Sequence, residues 1–192
     1  MLDNLKKYNI ILASKSPRRQ ELLKGLNIDF TIQTKEVEEI FPDNLVKEQI
    51  PLYLAELKAT AFENDLSDAD LLITSDTIVW SNNQQLGKPK DRIEAIKMLQ
   101  SLSNKQHEVI TGVCLKNKAK TVSFTASTKV VFKELSNDEI EFYVDTYKPF
   151  DKAGSYGIQE WIGYIGIQKI EGTYFNVMGL PLFELNQHLK NF

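Results

Sequence analysis

The amino-acid sequence predicts an α/β fold: a mixed sheet with helices on both sides and two lobes flanking a cleft. Strand-like and helical patterns alternate along the chain, which favours a sheet covered by helices. A β-hairpin pattern, Glu108–Leu115 with Thr121–Phe132, is inserted into this alternation and is expected to contribute to a second lobe. With 192 residues the chain is long enough to bury a substantial core. A cleft between lobes is then the natural ligand site.

The first predicted elements are a strand, a tight turn and the start of a helix. The apolar run Ile10–Ala13 predicts the strand, and apolar residues at helical spacing predict a helix from about Pro17 to Leu26. Ser16 is the expected N-cap of this helix, and proline suits the first helical position because its missing N–H has no partner there.

This turn has the composition of a phosphate-binding corner. Ser14, Lys15, Arg18 and Arg19 crowd a helix start, where unpaired backbone N–H groups attract anions. Arginine at a helix N-terminus opposes the helix macrodipole, so an anionic ligand would explain the surplus of cations. The alternative is a solvated basic turn that begins an ordinary amphipathic helix.

The remaining elements follow from hydrophobic periodicity, capping residues and turn signals. In chain order we expect a strand at Asp29–Gln33, a helix in Val46–Asn64, a strand at Leu71–Trp80, a turn at Asn82-Asn83, a helix capped by Asp91, the hairpin, a helix at Ile140–Tyr147 preceded by a Ser136/Glu139 capping box, and a last helix at Leu182–Leu189. The segment Lys152–Gly172 is rich in glycine and aromatic residues and is predicted to be poor in helix.

Composition and charge exclude several classes of function. The net charge of −3 gives no general electrostatic basis for binding nucleic acid. The single cysteine, Cys114, excludes an intramolecular disulfide and a cysteine-based zinc site, and its apolar surroundings predict a buried thiol. His107 and His188 lack the spacing of a zinc motif. Because no apolar stretch could span a bilayer, we expect a cytoplasmic protein without a membrane partner.

Asp76 is the most informative single carboxylate, because it interrupts the apolar strand Leu71–Trp80. Burying an unpaired carboxylate is costly, so Asp76 must be paired, hydrated at a strand end or bound to a cation. Strand ends are also where α/β folds bind ligands. The alternative is a turn residue between two short strands, in which Asp76 bonds its own backbone.

Five further positions could contact a nucleotide. Lys88, between a glycine and a proline, could bind a phosphate oxygen as a point charge, and Lys58 could do the same from a helix. Either Glu38 or Glu39, in an acidic run, could bind a metal ion, and the amide of Gln159 in a glycine-rich segment could read a base edge. Each has a structural alternative: a surface lysine, a solvated acidic run or a glycine-rich loop.

Taken together, these residues predict a site for a nucleotide triphosphate chain and a hard divalent cation. A carboxylate combined with substrate phosphates is the usual way in which Mg²⁺ is held. The expected reaction is attack of water on phosphorus, with the carboxylate activating the water and cations stabilising the developing charge.

The chain also resembles a known family, through motifs that occur in the family's order. These are ILASKSPRRQELL, ITSDTIVW, LGKPKD, HEVITGV, DKAGSYGIQ and GTYFNVMGLPL, and they resemble the Maf family of septum-formation-inhibitor-like nucleoside triphosphate pyrophosphatases. The resemblance covers nearly the whole chain and implies a single domain of residues 1–192 with an inosine-triphosphatase-like fold. It implies release of pyrophosphate from a nucleoside triphosphate, with Mg²⁺, Mn²⁺ or Co²⁺, and it suggests a homodimer.

The same resemblance implies a role for individual residues. Asp76 resembles the catalytic base, and Glu39 with Asp76 the metal-binding carboxylates. The residues implied to bind substrate are Ser14, Arg18, Arg19, Lys58, Thr77, Lys88 and Gln159. Among them, Arg18, Thr77 and Gln159 stand at positions associated with substrate choice, and the YGIQ sequence is similar to the branch that prefers dTTP and UTP, with modified pyrimidine nucleotides as further candidates. Lys15 and Ser75 depart from the family's frequent small residue and alanine at these positions.

Two alternatives remain at this point. One is a regulatory or interaction protein of cell division that has a vestigial nucleotide pocket. The other is a pyrophosphatase of the same class that acts on non-canonical nucleotides such as ITP and XTP.

Overall fold

The structure, a computed structural model, describes residues 2–192. Within them the chain forms β1 (Asn9–Leu12), α1 (Pro17–Lys24), β2 (Thr31–Ile32), α2 (Gln49–Thr60), β3 (Asp70–Ser81), β4 (Gln84–Leu86), α3 (Arg92–Leu102), β5 (Gln106–Lys116), β6 (Thr121–Phe132), α4 (Asn137–Tyr147), α5 (Trp161–Gly166), β7 (Ile167–Glu171), α6 (Tyr174–Met178) and α7 (Leu182–Lys190). Short 3-10 turns occupy Asp3–Lys7 and Ala153–Ser155. None of the helices in this described part of the chain is long and apolar enough to cross a membrane.

The strands form one mixed sheet, as the sequence predicts. Its order is β2-β1-β3-β5-β6-β7, and β4 pairs separately with β3. Strand β1 runs parallel to both β2 and β3, whereas β4 is antiparallel to β3 and β7 is antiparallel to β6. The turn between β3 and β4 falls at Asn82 and Asn83, which both have positive φ angles, as a tight two-residue hairpin requires.

The chain divides into two compact units. The first unit comprises residues 2–76, Thr111–Ala126 and Gly179–Phe192, and the second comprises Thr77–Ile110 and Ser127–Met178. Strands β3, β5 and β6 therefore each carry residues of both units. The predicted single domain of residues 1–192 and the predicted cleft stay predictions.

In the first unit, helix α2 packs closely against one face of the sheet. Ala55 and Ala59 lie in a cluster with Ile11, Leu72 and Cys114, one residue from each of three strands. The thiol of Cys114 is buried, as expected from its apolar surroundings. Small helix side chains let the backbones approach, so α2 packs closely over β3.

Gly112 on β5 marks the tightest approach between α2 and the sheet. A Cβ atom built there would lie 2.2 Å from the carbonyl oxygen of Pro51, in the first turn of α2. No side chain fits at that distance, so glycine is required for this packing.

The second unit has its own apolar core. It is built from α3, α4, α5 and the strands beside them, with buried residues that include Ala95, Leu99, Leu102, Val130, Phe132, Ile140, Tyr143, Val144, Tyr156, Ile158 and Ile162. Both predicted helix starts are confirmed. Asp91 caps α3 by accepting from the N–H of Glu94 (2.8 Å), and Ser136 with Glu139 forms the capping box of α4.

The segment Lys152–Gly172, predicted to be poor in helix, contains one short α-helix, α5, followed by the strand β7. Gly163 and Gly166 lower the intrinsic helix propensity of α5. Burial of Ile162 in the core of the second unit outweighs that preference. Tertiary packing, which local sequence patterns do not encode, decides the structure of this segment.

Candidate active site

Asp76 lies on β3, in a strand that continues from Asp70 to Ser81. The alternative interpretation of Asp76 as a turn residue between two strands is therefore wrong. Alternation along a strand places Thr74 and Asp76 on the same face as Leu72, the face covered by α2. The Thr74 hydroxyl confirms this by donating to the carbonyl of Ala55 (2.6 Å).

Helix α2 brings Lys58 to this carboxylate. Lys58 follows Ala55 by three residues, so it lies on the same helix face one turn further on. Its Nζ lies 2.6 Å from Oδ1 of Asp76 and 2.8 Å from Oε1 of Glu39. Asp76 is 8% exposed, whereas the side chain of Glu39 is half exposed. The buried carboxylate is thus paired, and the three groups together keep a net negative charge that can attract a further cation.

The helix start at α1 has the predicted capping arrangement. Pro17 is the first helical residue, and the hydroxyl of Ser16 accepts from the N–H of Arg19 (3.5 Å). The buried Ser14 accepts from the N–H of Ser16 through its hydroxyl oxygen (3.2 Å). No acidic residue lies in the first turn of α1. The positive end of this helix is therefore not neutralised by its own side chains.

The two arginines of α1 are placed differently. Arg19 donates from Nε to the carbonyl of Gly179 (2.8 Å) and from Nη1 to the carbonyl of Ser75 (2.9 Å). Burial lowers the pKa of the Arg19 guanidinium, and the charges of Asp76 and Glu39 act in the opposite direction. Arg19 therefore ties α1 to the backbone directly before Asp76. Arg18 is half-buried in the same first turn.

Thr77, Lys88 and Gln159 belong to the second unit. Lys88 is exposed and forms no ion pair within residues 2–192. A backbone hydrogen bond from Gly154 to the carbonyl of Gly87 (3.0 Å) joins the Lys88 loop to the segment that leads to Gln159. A main-chain contact in the second unit thus links the Lys88 loop to the Gln159 segment.

The side-chain amide of Gln159 makes no hydrogen bond with any other residue in the described range, 2–192. Its main chain is held firmly, since the carbonyl of Gln159 accepts from the hydroxyl of Tyr164 (2.7 Å). An anchored backbone with an unpaired, half-buried amide is suited to recognising a polar ligand.

Three residues beside Gln159 are not identified by sequence reasoning: Tyr143, Lys152 and Glu160. They form a hydrogen-bonded chain that ends on the N–H of Gly157. Only Lys152 falls within a recognised motif, DKAGSYGIQ, and nothing in that motif indicates its partner.

Two carboxylates near Lys58 bear on whether the site can hold a divalent metal ion. Within residues 2–192 no group of three or more histidine, cysteine, aspartate or glutamate side chains is arranged to hold a metal ion. The carboxylates of Asp76 and Glu39 nevertheless both form an ion pair with Nζ of Lys58, and their oxygens are hard donors of the kind that Mg²⁺ prefers. Mg²⁺ is commonly held by one or two carboxylates together with phosphate oxygens and water, so these two residues fit such an ion when substrate is bound.

The structure thus groups the predicted residues by unit. The first unit contains Ser14, Arg18, Arg19, Glu39, Lys58 and Asp76, and the second contains Thr77, Lys88 and Gln159. Direct contacts join Asp76, Lys58 and Glu39, and Arg19 reaches the residue before Asp76. The roles of these residues toward substrate and metal stay predictions.

Comparison with known proteins gives concordant results. Residues 9–192 match the family model described as Maf-like protein. The chain is 58% identical over 182 residues to a dTTP/UTP pyrophosphatase of Flavobacterium psychrophilum, covering 95% of this chain and 93% of that protein. It is 53% identical over 193 residues to a dTTP/UTP pyrophosphatase of Parabacteroides distasonis, covering the full length of both.

Among solved structures, the Staphylococcus aureus Ham1 protein is similar with a TM-score of 0.53 and 18% identity, covering 95% of this chain and 98% of that one. At this identity the likeness concerns the fold alone. The predicted fold class is confirmed.

Proposed function

Because the chain belongs to the Maf family, we propose that it hydrolyses dTTP and UTP to the nucleoside monophosphate and pyrophosphate. The curated relatives at 52–58% identity carry the name dTTP/UTP pyrophosphatase, and modified pyrimidine nucleotides are further candidate substrates. One observation carries the proposal: the buried carboxylate of Asp76 is held 2.6 Å from Lys58 on the α2 face of β3.

In the proposed mechanism Asp76 is the general base. Lys58 engages Oδ1, and Oδ2 makes no hydrogen bond with the other residues of the described chain, 2–192. Oδ2 accepts a proton from water as the water oxygen bonds to phosphorus and the phosphoanhydride bond breaks. Lys58 keeps the carboxylate oriented throughout this step, which yields the nucleoside monophosphate and pyrophosphate.

Cationic groups bind the triphosphate and stabilise the charge that develops on it. The N–H groups at the start of α1, with Ser14 and Arg18, contact phosphate oxygens, and Lys88 supplies a further positive charge. Asp76 and Glu39 would hold the divalent cation, which when bound polarises a phosphoryl oxygen as a Lewis acid.

Base recognition is assigned to Gln159, with Thr77 as a second contributor to substrate choice. A primary amide both donates and accepts, which complements the adjacent carbonyl and N–H of thymine and uracil. The amide of Gln159 has no competing partner among residues 2–192, which supports this role. We further place the enzyme in the cytoplasm as a homodimer.

The test is pyrophosphate release from a panel of dTTP, UTP, dCTP, dGTP, ITP and XTP with Mg²⁺ or Mn²⁺. We expect dTTP and UTP to be the preferred substrates, and a chelator to abolish their hydrolysis. A preference for ITP or XTP would keep the reaction and overturn the assignment of Gln159. No hydrolysis of any nucleotide by folded protein would overturn the proposal and favour a regulatory or interaction protein.

Hydrolysis in water labelled with heavy oxygen shows where the attack occurs. Label in the monophosphate means attack at the α-phosphorus, whereas label in the pyrophosphate means attack at the β-phosphorus. Either result is compatible with Asp76 as the base.

A further inference from the structure

We propose that Tyr143, Glu160 and Lys152 are positioning residues that fix the turn Gly157–Glu160, so that Gln159 presents its amide to the pyrimidine base. This inference rests on the proposed function, since it concerns how that function selects its substrate. The hydrogen-bonded network of these three side chains takes no part in the proposed mechanism, and the inference gives it a role in base recognition.

The chain of contacts begins at the main chain of the turn. The N–H of Gly157 donates to the hydroxyl oxygen of Tyr143 (3.0 Å). That hydroxyl in turn donates to Oε2 of Glu160. The other carboxylate oxygen of Glu160 lies 3.1 Å from Nζ of Lys152, which also contacts Asp151 (2.7 Å). The turn is therefore connected to a charged pair through one tyrosine.

The desolvation cost of this hydrogen-bonded network argues that it is more than incidental packing. The side chain of Lys152 is 10% exposed and that of Glu160 is 19% exposed. Withdrawing such a pair from water opposes folding, and apolar residues of similar size often replace buried ion pairs without loss of stability. Burial and the contact with Glu160 raise the pKa of Tyr143, so its hydroxyl stays protonated and able to donate at neutral pH. A fully satisfied buried network specifies one conformation, which is what a recognition turn needs.

The rest of the turn is fixed in the same way. The N–H of Glu160 donates to the carbonyl of Gly157 (3.0 Å), and the side chain of Ile158 is buried in the core of the second unit. A Cβ atom built on Gly157 would lie 2.8 Å from the carboxyl carbon of Glu160 and 3.0 Å from Nε2 of Gln159. The carboxylate and the amide therefore both pack against Gly157. Moving the main chain of Gly157 would move the amide of Gln159 with it.

The experiment compares Tyr143→Phe with Tyr147→Phe. Both substitutions remove one hydroxyl from α4, and the two rings stack at 5.1 Å, but no hydrogen bond within residues 2–192 uses the hydroxyl of Tyr147. We expect Tyr143→Phe to raise KM for dTTP and to lower the preference for dTTP over dCTP, measured as the ratio of kcat/KM, by roughly tenfold. The value of kcat with saturating dTTP should change little. Tyr147→Phe should leave all three quantities unchanged.

A double-mutant cycle separates positioning from general loosening. If Tyr143 acts through Gln159, then Tyr143→Phe should lower the preference no further in a Gln159→Ala background. Additive losses would overturn the inference. So would an unchanged preference in Tyr143→Phe, provided that wild type hydrolyses dTTP. If wild type hydrolyses neither dTTP nor UTP, the proposed function itself fails.

A second pair of variants covers the case in which Tyr143→Phe does not fold. Glu160→Gln keeps the shape of the side chain and an acceptor for Tyr143, but leaves Lys152 without this counter-charge. Its control is Glu139→Gln, which removes the carboxylate that contacts Lys133 (2.6 Å) in the capping box of α4. We expect only Glu160→Gln to lower the preference for dTTP, even if both variants unfold at a lower temperature. Equal preferences in the two variants would overturn the inference.

Discussion

Asp76 in the first unit and Gln159 in the second are held by opposite means. The carboxylate of Asp76 is itself the restrained group, fixed by the ammonium of Lys58 at 2.6 Å. The amide of Gln159 has no hydrogen-bond partner within residues 2–192, while the main chain around it is bonded to two tyrosine hydroxyls. One unit thus sets the orientation of a side chain, whereas the other sets the path of the backbone and leaves the side chain available. Substitutions in the two regions should therefore fail in different ways.

The largest expected effect is on chemistry in the first unit. Asp76→Asn keeps the size of the side chain but removes the proposed base, so kcat for dTTP should fall by roughly 10²–10⁴-fold while the protein stays folded. Steady-state pyrophosphate release and circular dichroism measure the two properties.

The matched control for this variant is Asp70→Asn, at the first residue of β3, where the carboxylate accepts from the N–H of Ser67 (2.7 Å). This control should keep its turnover. Near-wild-type turnover in Asp76→Asn would refute the assignment of Asp76 as the base.

The next largest effect separates the two neighbouring arginines: alanine at position 19 should mainly affect stability, whereas alanine at position 18 should mainly affect substrate binding. Arg19→Ala removes two hydrogen bonds from a charged donor, to the carbonyls of Ser75 and Gly179, and each such bond contributes about 1.5–3 kcal/mol. We therefore expect Arg19→Ala to lower the free energy of unfolding in urea. Arg18→Ala should mainly raise KM for the triphosphate.

The proposed difference between the arginines is wrong if Arg18→Ala and Arg19→Ala lower the free energy of unfolding equally and both keep the wild-type KM. It is sharpened by Arg19→Lys, which keeps the positive charge but cannot donate in a fixed fork to two carbonyls. Arg19→Lys should therefore remain less stable than wild type.

The smallest effect is a pH dependence in the second unit. His107 is buried, its Nε2 lies 2.7 Å from the hydroxyl of Tyr156, and burial lowers the pKa of His107 to about 4. The unfolded chain binds a proton near pH 6.5, which the folded chain does not accept until about pH 4. The contribution of neutral His107 to the free energy of unfolding is therefore fully present above the unfolded pKa. It falls as the pH drops from 6.5 toward 4, by at most about 3 kcal/mol.

Urea unfolding at several pH values in this window measures the slope. His107→Gln, which cannot titrate, should be less stable than wild type at neutral pH but should show a smaller loss on acidification. Equal slopes in the two proteins would show that other groups control the acid response.

The sequence predicts most reliably what local chemistry decides. The capping roles of Ser16 and Asp91 follow from residue type and spacing, and both are confirmed. Asp76 is identifiable because a carboxylate stands out in an apolar strand. The motif resemblance then extends the prediction to the fold class, which is also confirmed.

Contacts between distant segments are not encoded in local patterns. The acceptors of Arg19 are backbone carbonyls, which every residue possesses, so no residue type reveals them. Tyr143 on α4 and Glu160 in the turn before α5 are 17 residues apart, and neither shows a periodicity that would pair them. Such contacts depend on how helices pack, and only the folded structure reveals them.

The hydrogen bond from Gly154 to the carbonyl of Gly87 bears on how such an enzyme can change over evolution. Because both atoms belong to the main chain, the bond persists when the side chains at positions 88 and 159 are exchanged. Descendants can thus vary residues 88 and 159, which we propose contact phosphate and the base, independently of each other, on loops that the same main-chain bond joins. This arrangement lets substrate preference diverge within a lineage without each new preference requiring a new backbone.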